Sequence, residues 1–115
     1  MSYSIKEERQ YSHTGDKVVD ALMGAVEGLE GNIVSNDTAS GMIVIKFKKT
    51  ILGKVLGEQT QVNVKMESLP SGETILDIEA YPLDAIGQKL MFGARKGVTR
   101  TVLDWLYAHL EHRLS

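Results

Sequence analysis

A chain of 115 residues is long enough for one domain with one core and too short for two. With 43% hydrophobic and 24% charged residues it has the composition of an ordinary soluble globular protein, and no apolar run approaches the roughly 18 residues of a membrane span. A formal charge of −2 without cysteine gives no global attraction to nucleic acid and excludes disulfides, thiolate metal sites and thiol nucleophiles, and the missing apolar core of a signal peptide leads us to expect a cytoplasmic protein.

Residues 3 to 12 alternate strictly, with Tyr3, Ile5, Glu7, Arg9 and Tyr11 on one side and Ser4, Lys6, Glu8, Gln10 and Ser12 on the other. This predicts a first strand. The second set is wholly polar and faces water, so Glu7 and Arg9 share the inward side with Ile5 and Tyr11. Buried charges need partners. An edge strand half-exposed at its middle accommodates them, and so does a polar patch in a cavity. Thr14 then offers an N-cap, Val18, Leu22, Ala25, Val26 and Leu29 recur at helical spacing, and Gly31 supplies a stop, so a helix is expected over about 15–30. Its Gly24 and Gly28 form a ridge of small residues suited to close approach of helix to sheet. A short strand from Asn32 to Asp37, a turn and a stronger strand from Met42 to Lys49 read as a hairpin.

The connection from Thr50 to Gly57 is too apolar for a plain surface loop. Ile51, Leu52, Val55 and Leu56 fit a helical turn, two short strand ends or a flap, and they require cover from the chain's own sheet, a ligand or a neighbouring subunit. Thr60, Val62, Val64 and Met66 then alternate with Gln61, Asn63, Lys65 and Glu67, a strand with one wet face. Leu69-Pro-Ser-Gly72 is turn chemistry. Beyond it Leu76, Ile78 and Ala80 point inward and Asp77 and Glu79 outward.

The last third, Asp84 to Arg113, reads as one long helix. Ile86, Leu90, Ala94, Val98, Val102, Leu106, Leu110 and Leu114 recur every fourth residue, with Met91 and Trp105 on the same side, and Asp84 is placed to cap the N-terminus. Such a row drifts by about 40° per step, so one flat layer cannot cover it. A sheet curled around the helix is the favoured solution, ahead of a bend at the glycines or burial against another subunit. Gly87, Gly93 and Gly97 each cost a helix about 1 kcal/mol against alanine, which keeps open a regular helix that begins only near Val98. Trp105 is expected in the core, between Val62, Val64, Leu76 and Ile78.

The order strand-helix-four strands-helix describes one α+β domain, residues 1–115. It has two layers, a curved antiparallel sheet and a long C-terminal helix packed across it. This order, with its long last helix, resembles the TATA-box-binding-protein-like folds and the helix-grip ligand carriers related to the birch-pollen allergen and START domains. The resemblance covers the whole chain and rests on topology. Helix-grip carriers usually have more strands than are counted here, which leaves less room for an enclosed cavity, and the acidic balance disfavours the nucleic-acid-binding branch.

No phosphate loop, H-E-x-x-H or G-x-S-x-G motif occurs. His109 and His112 lie three apart around Glu111, but no third ligand can be placed and no metal or cofactor is assigned. His13 has Ser12 and Asp16 nearby in sequence, which is no catalytic set. Lys46, Lys48, Lys49 and Lys54, with Arg95, Lys96 and Arg100, form the one candidate electrostatic cluster. The reading that follows is a non-catalytic module for a small apolar or amphipathic ligand held between sheet and C-terminal helix. Glu7, Arg9, Tyr11, Ile51, Leu52, Val55, Leu56 and Met91 are its candidate binding residues. The alternative is a homo-oligomerising module without a ligand, a homodimer in the simplest case, and an enzyme ranks third.

Overall fold

The computed structural model describes residues 3–37, 39–95 and 97–115. Strand β1 spans Ile5–Tyr11 and is followed by helix α1, Gly15–Gly28. Next come β2 (Asn32–Asp37), β3 (Met42–Phe47), the short pair β4 (Thr50–Ile51) and β5 (Lys54–Val55), then β6 (Gln59–Ser68) and β7 (Thr74–Leu83). Helix α2, Val98–Leu114, closes the chain. The long strands form one antiparallel sheet in the order β1-β7-β6-β3-β2. Period-2 alternation carries through to burial. Ile43, Ile45, Phe47, Val62, Val64, Leu76, Ile78 and Ala80 are all buried on one face, and the two helices supply the other half of the core.

Helix α2 is shorter than the apolar periodicity implies. Residues 84–95 fold instead as a loop, and the alternative start near Val98 is the one adopted. Gly87, Gly93 and Gly97 all take left-handed backbone angles, with φ of 85°, 74° and 82°, a conformation available to glycine and incompatible with a right-handed helix. Asp84 caps no helix. Its Oδ1 accepts from the N–H groups of Ile86 and Gln88 at 3.0 and 2.9 Å and so tightens this loop. Ile86 and Met91 therefore leave the buried stripe for the surface.

From Val98 onward the stripe is real, with Val98, Val102, Leu106, Leu110 and Leu114 buried together with Leu103 and Tyr107. Its width is covered by the sheet and by α1 alongside, so a second helix takes the part assigned to a curled sheet. The Gly24–Gly28 ridge serves this helix-to-helix contact. A Cβ on Gly24 would lie 2.7 Å from the Arg113 guanidinium, and one on Gly28 3.3 Å from Nδ1 of His109. Trp105 departs from its expected place. It is only partly buried at the edge of the core, where the Lys54 ammonium lies 5.6 Å from its ring centre. Helix α1 ends through Glu30, whose φ is 60°, while the Gly31 N–H donates to the carbonyl of Val26 at 2.8 Å. The left-handed stop therefore falls one residue before the glycine.

The apolar connection resolves into two short strand ends. Leu52 and Gly53 make the two-residue turn between β4 and β5, with φ of 50° and 80°. Positive φ at both positions is the turn geometry that Asn-Gly favours. A leucine held there loses about 1 kcal/mol or more. Leu52→Asn is accordingly expected to stabilise the protein by about 1 kcal/mol, seen as a higher thermal midpoint. A midpoint that stays put or falls would show that Leu52 is not strained.

Candidate functional site

The inward side of β1 carries charge into the helix–sheet junction, and α2 is built to receive it. Glu7 and Arg9 sit opposite Ile78 and Leu76 of β7, facing the flank of α2 that bears Arg100, Tyr107 and Glu111. The Arg100 guanidinium donates to both carboxylate oxygens of Glu7, at 2.8 and 3.0 Å, and the Tyr107 hydroxyl donates to Oε1 at 2.8 Å. One turn on, Arg9 stacks over the Tyr107 ring at 4.0 Å and lies 3.7 Å from the Glu111 carboxylate, which accepts from the Tyr11 hydroxyl at 2.9 Å. Arg100 also pairs with Asp104 at 2.9 Å, four residues further along the helix.

The chemistry of this ladder follows from its partners. The Arg100 hydrogen bonds, against the opposing effect of burial and with help from Tyr107, hold the Glu7 carboxyl down at about 2. Burial, and then the hydrogen bond to Glu7, pushes the Tyr107 hydroxyl up to about 12. Burial first and Glu111 second raise the Tyr11 hydroxyl as well. A carboxylate ionised throughout the physiological range and tied to three donors is poorly suited to proton transfer. Its evident work is to fasten α2 to β1.

A different set of groups meets at the end of the sheet where β3 and β7 finish and β6 begins. A cavity of about 570 Å³ opens between the sheet and the 84–95 loop, lined by Lys49, Glu58, Leu83, Leu90, Ala94 and Arg95 among others. A smaller one of about 300 Å³ lies between Tyr3, Ile5 and the first turn of α2, and shares Ala94 and Arg95 with it. Glu58 is only 8% exposed. Its Oε1 accepts from the backbone N–H of Arg95 at 2.8 Å, whereas its Oε2 is buried without a hydrogen-bond partner among the described residues. The same holds for Oγ1 of Thr60, two residues on.

The candidate binding residues divide into separate groups. Glu7, Arg9 and Tyr11 lie on the β1 flank of α2, while Trp105 and His109 of α2 line a cleft of about 280 Å³ with Leu29, Ile51, Leu52 and Lys54. Of the four aliphatic residues in the connection, Ile51 is buried in the core and Leu56 packs against it, but Leu52 and Val55 are exposed. Met91 is exposed on the 84–95 loop. Glu58 escaped the sequence reading, although it continues the inward set of Thr60, Val62 and Val64 by one more step of two.

No family model matches the chain, and no curated protein matches it in sequence. In structure, 97% of it aligns with 96% of a protein from Nitrosospira multiformis, with a TM-score of 0.62 and 10% identity. Ara h 8.0201 is similar over 99% of both chains, with a TM-score of 0.55 and 12% identity. A START superfamily protein from Mycobacterium smegmatis aligns over 96% of this chain and 95% of its own, with a TM-score of 0.52 and 8% identity. The fold is helix-grip-like. At such identities the likeness establishes architecture, and function has to be read from the site. In this helix-grip-like domain both cavities lie where α2 begins, beside the loops β3–β6 and β7–α2.

Proposed function

We propose that the protein is a non-catalytic binding module for a small amphipathic ligand, held at the mouth between the sheet and the N-terminal end of α2. The observation that carries this reading is Glu58, a buried carboxylate with one oxygen unpartnered among the described residues, set in the wall of a cavity that Leu83, Leu90 and Ala94 line together with the polar Lys49, Gln59, Asp84 and Arg95. Leaving such an oxygen unsatisfied is costly. A ligand with an apolar body and a hydroxyl or amino group offers what the site lacks. Cavities of this size and mixed lining suit small molecules. In this reading Glu7, Arg9 and Tyr11 hold the helix that forms one wall, and Leu56 and Met91 belong to the rim.

Native mass spectrometry of the purified protein, together with thermal midpoints in the presence of medium-chain alcohols, amines and fatty acids, tests it. Saturable stabilisation is expected, about 2.7 kcal/mol at a hundredfold excess over Kd, and it should weaken in Glu58→Leu. A protein that emerges at its bare mass, with a midpoint that none of these compounds moves, would refute the reading.

A second reading, a homo-oligomeric module, rests on the free edge of the sheet. Strand β2 is exposed along its length, with Val34 at a bulge in its pairing to β3. Bulges commonly protect such edges from pairing, so this reading ranks second. A sedimentation run that gives a monomer removes it.

A further inference from the structure

Charge is distributed very unevenly over this chain. Residues 44–58 and 84–100 together hold eight of the thirteen Lys and Arg and only two of the fifteen Asp and Glu. The fold brings these two stretches to one end of the sheet, where the Arg95 N–H reaches Glu58 and a Cβ on Gly87 would lie 3.6 Å from the Lys46 ammonium. The ion pairs among the described residues engage Lys6, Arg9 and Arg100, and none engages Lys46, Lys48, Lys49, Lys54, Lys89 or Arg95. The carboxylates near this end are otherwise occupied: Glu58 is buried, Asp84 is bonded to loop amides, Glu30 accepts from the Leu52 N–H, and Asp104 pairs with Arg100. Beside these cations the same loops expose large apolar side chains. Phe92 is 85% exposed, Ile86 79%, Val55 76% and Met91 57%.

We propose that this end of the molecule docks on an anionic lipid bilayer. A solvated basic face does not need exposed phenylalanine and isoleucine, and a ligand pocket would turn them inward. A bilayer interface takes both kinds of group at once, burying apolar side chains at the boundary between headgroups and acyl chains while lysines remain among the phosphates. The rest of the chain carries thirteen acidic against five basic residues. An anionic surface therefore repels the opposite end and orients the molecule with its loops inward. The cavities beside Arg95 then open toward the membrane. Docking requires only the exposed apolar side chains and the basic charge, whether or not a ligand occupies these cavities.

Flotation of the full chain with vesicles of phosphatidylcholine, alone or mixed with phosphatidylglycerol, tests the proposal. Binding is expected to the mixed vesicles only, and to weaken as salt rises. Lys48→Glu and Lys49→Glu should each weaken it about fivefold or more, and Phe92→Ser about tenfold. All three positions are exposed, so the thermal midpoint should not move and serves as the control for folding. Should a variant fail that control, Ile86→Ser reads the apolar contribution and the salt titration of the unaltered protein reads the charge. No binding to the mixed vesicles overturns the proposal, as does binding that Phe92→Ser and Ile86→Ser leave unchanged. Tighter binding to duplex DNA than to vesicles, sensitive to the lysines and indifferent to Phe92, would overturn it in favour of a nucleic-acid surface.

Discussion

Phe47→Ala should destabilise the protein by about 3–5 kcal/mol, and Trp105→Ala by clearly less, although tryptophan is the larger side chain. Phe47 is 1% exposed and is the last residue of β3. Its ring lies against Gly31 so closely that a Cβ there would come within 2.8 Å, and Val26 borders the same spot. It thus joins the end of a central strand to the end of α1, and truncation leaves a cavity that the backbone on both sides cannot collapse into. Trp105 sits at the edge of the core, with one side open to a surface cleft beside Leu52 and Lys54. Much of its surface is wet before it is removed. Urea denaturation of the two variants in parallel measures the difference. An equal or larger loss for Trp105→Ala would mean that the indole carries the core.

Glu7→Gln is expected to cost about 1.5–3 kcal/mol near neutral pH, because Arg100 keeps its charge while losing its bidentate partner to a neutral amide. The pH dependence gives an independent check. Glu7 is lowered from 4.5 in the unperturbed state to about 2 in the folded protein, so the folded state binds this proton more weakly than the unfolded one. Its contribution is then complete above 4.5 and is lost as pH falls from there towards 2. The stability gap between the native protein and Glu7→Gln should narrow across that window. A gap that stays constant on acidification would mean that the loss comes from packing. Arg100→Met removes the other half of the pair and should flatten the same pH profile.

Much of the architecture is legible in local periodicity. A strand repeats every two residues, so the sequence of β1 already places Glu7 and Arg9 inward beside Ile5, and the burial of Val62, Val64, Leu76 and Ile78 follows from the same rule. One cluster of binding candidates, Glu7, Arg9 and Tyr11, is visible for that reason, but its partners are not. Arg100, Tyr107 and Glu111 lie about ninety to a hundred residues away in the chain, and nothing local records which flank of α2 will meet β1.

The start of α2 shows where local pattern fails. The apolar spacing runs unbroken through Ile86, Leu90 and Ala94, and the glycines are the one local sign against a helix. Whether a glycine is a tolerated weak helix former or a left-handed hinge depends on where the chain must go. Here it must leave β7 at Leu83 and come back past β1 to begin α2, which needs three left-handed residues and puts Ile86, Met91 and Phe92 in solvent. Trp105 illustrates the same limit, since its position on the wheel places it near the stripe but only the presence of α1 decides how wide the covered stripe is. Sequence alone determined the five long strands, their faces, the two-layer class and the concentration of lysine and arginine in two stretches. Tertiary structure decided that those stretches share one end, that Glu58 is buried there, and that the apolar loops face outward, because these depend on chain closure and long-range contact, which no local period encodes.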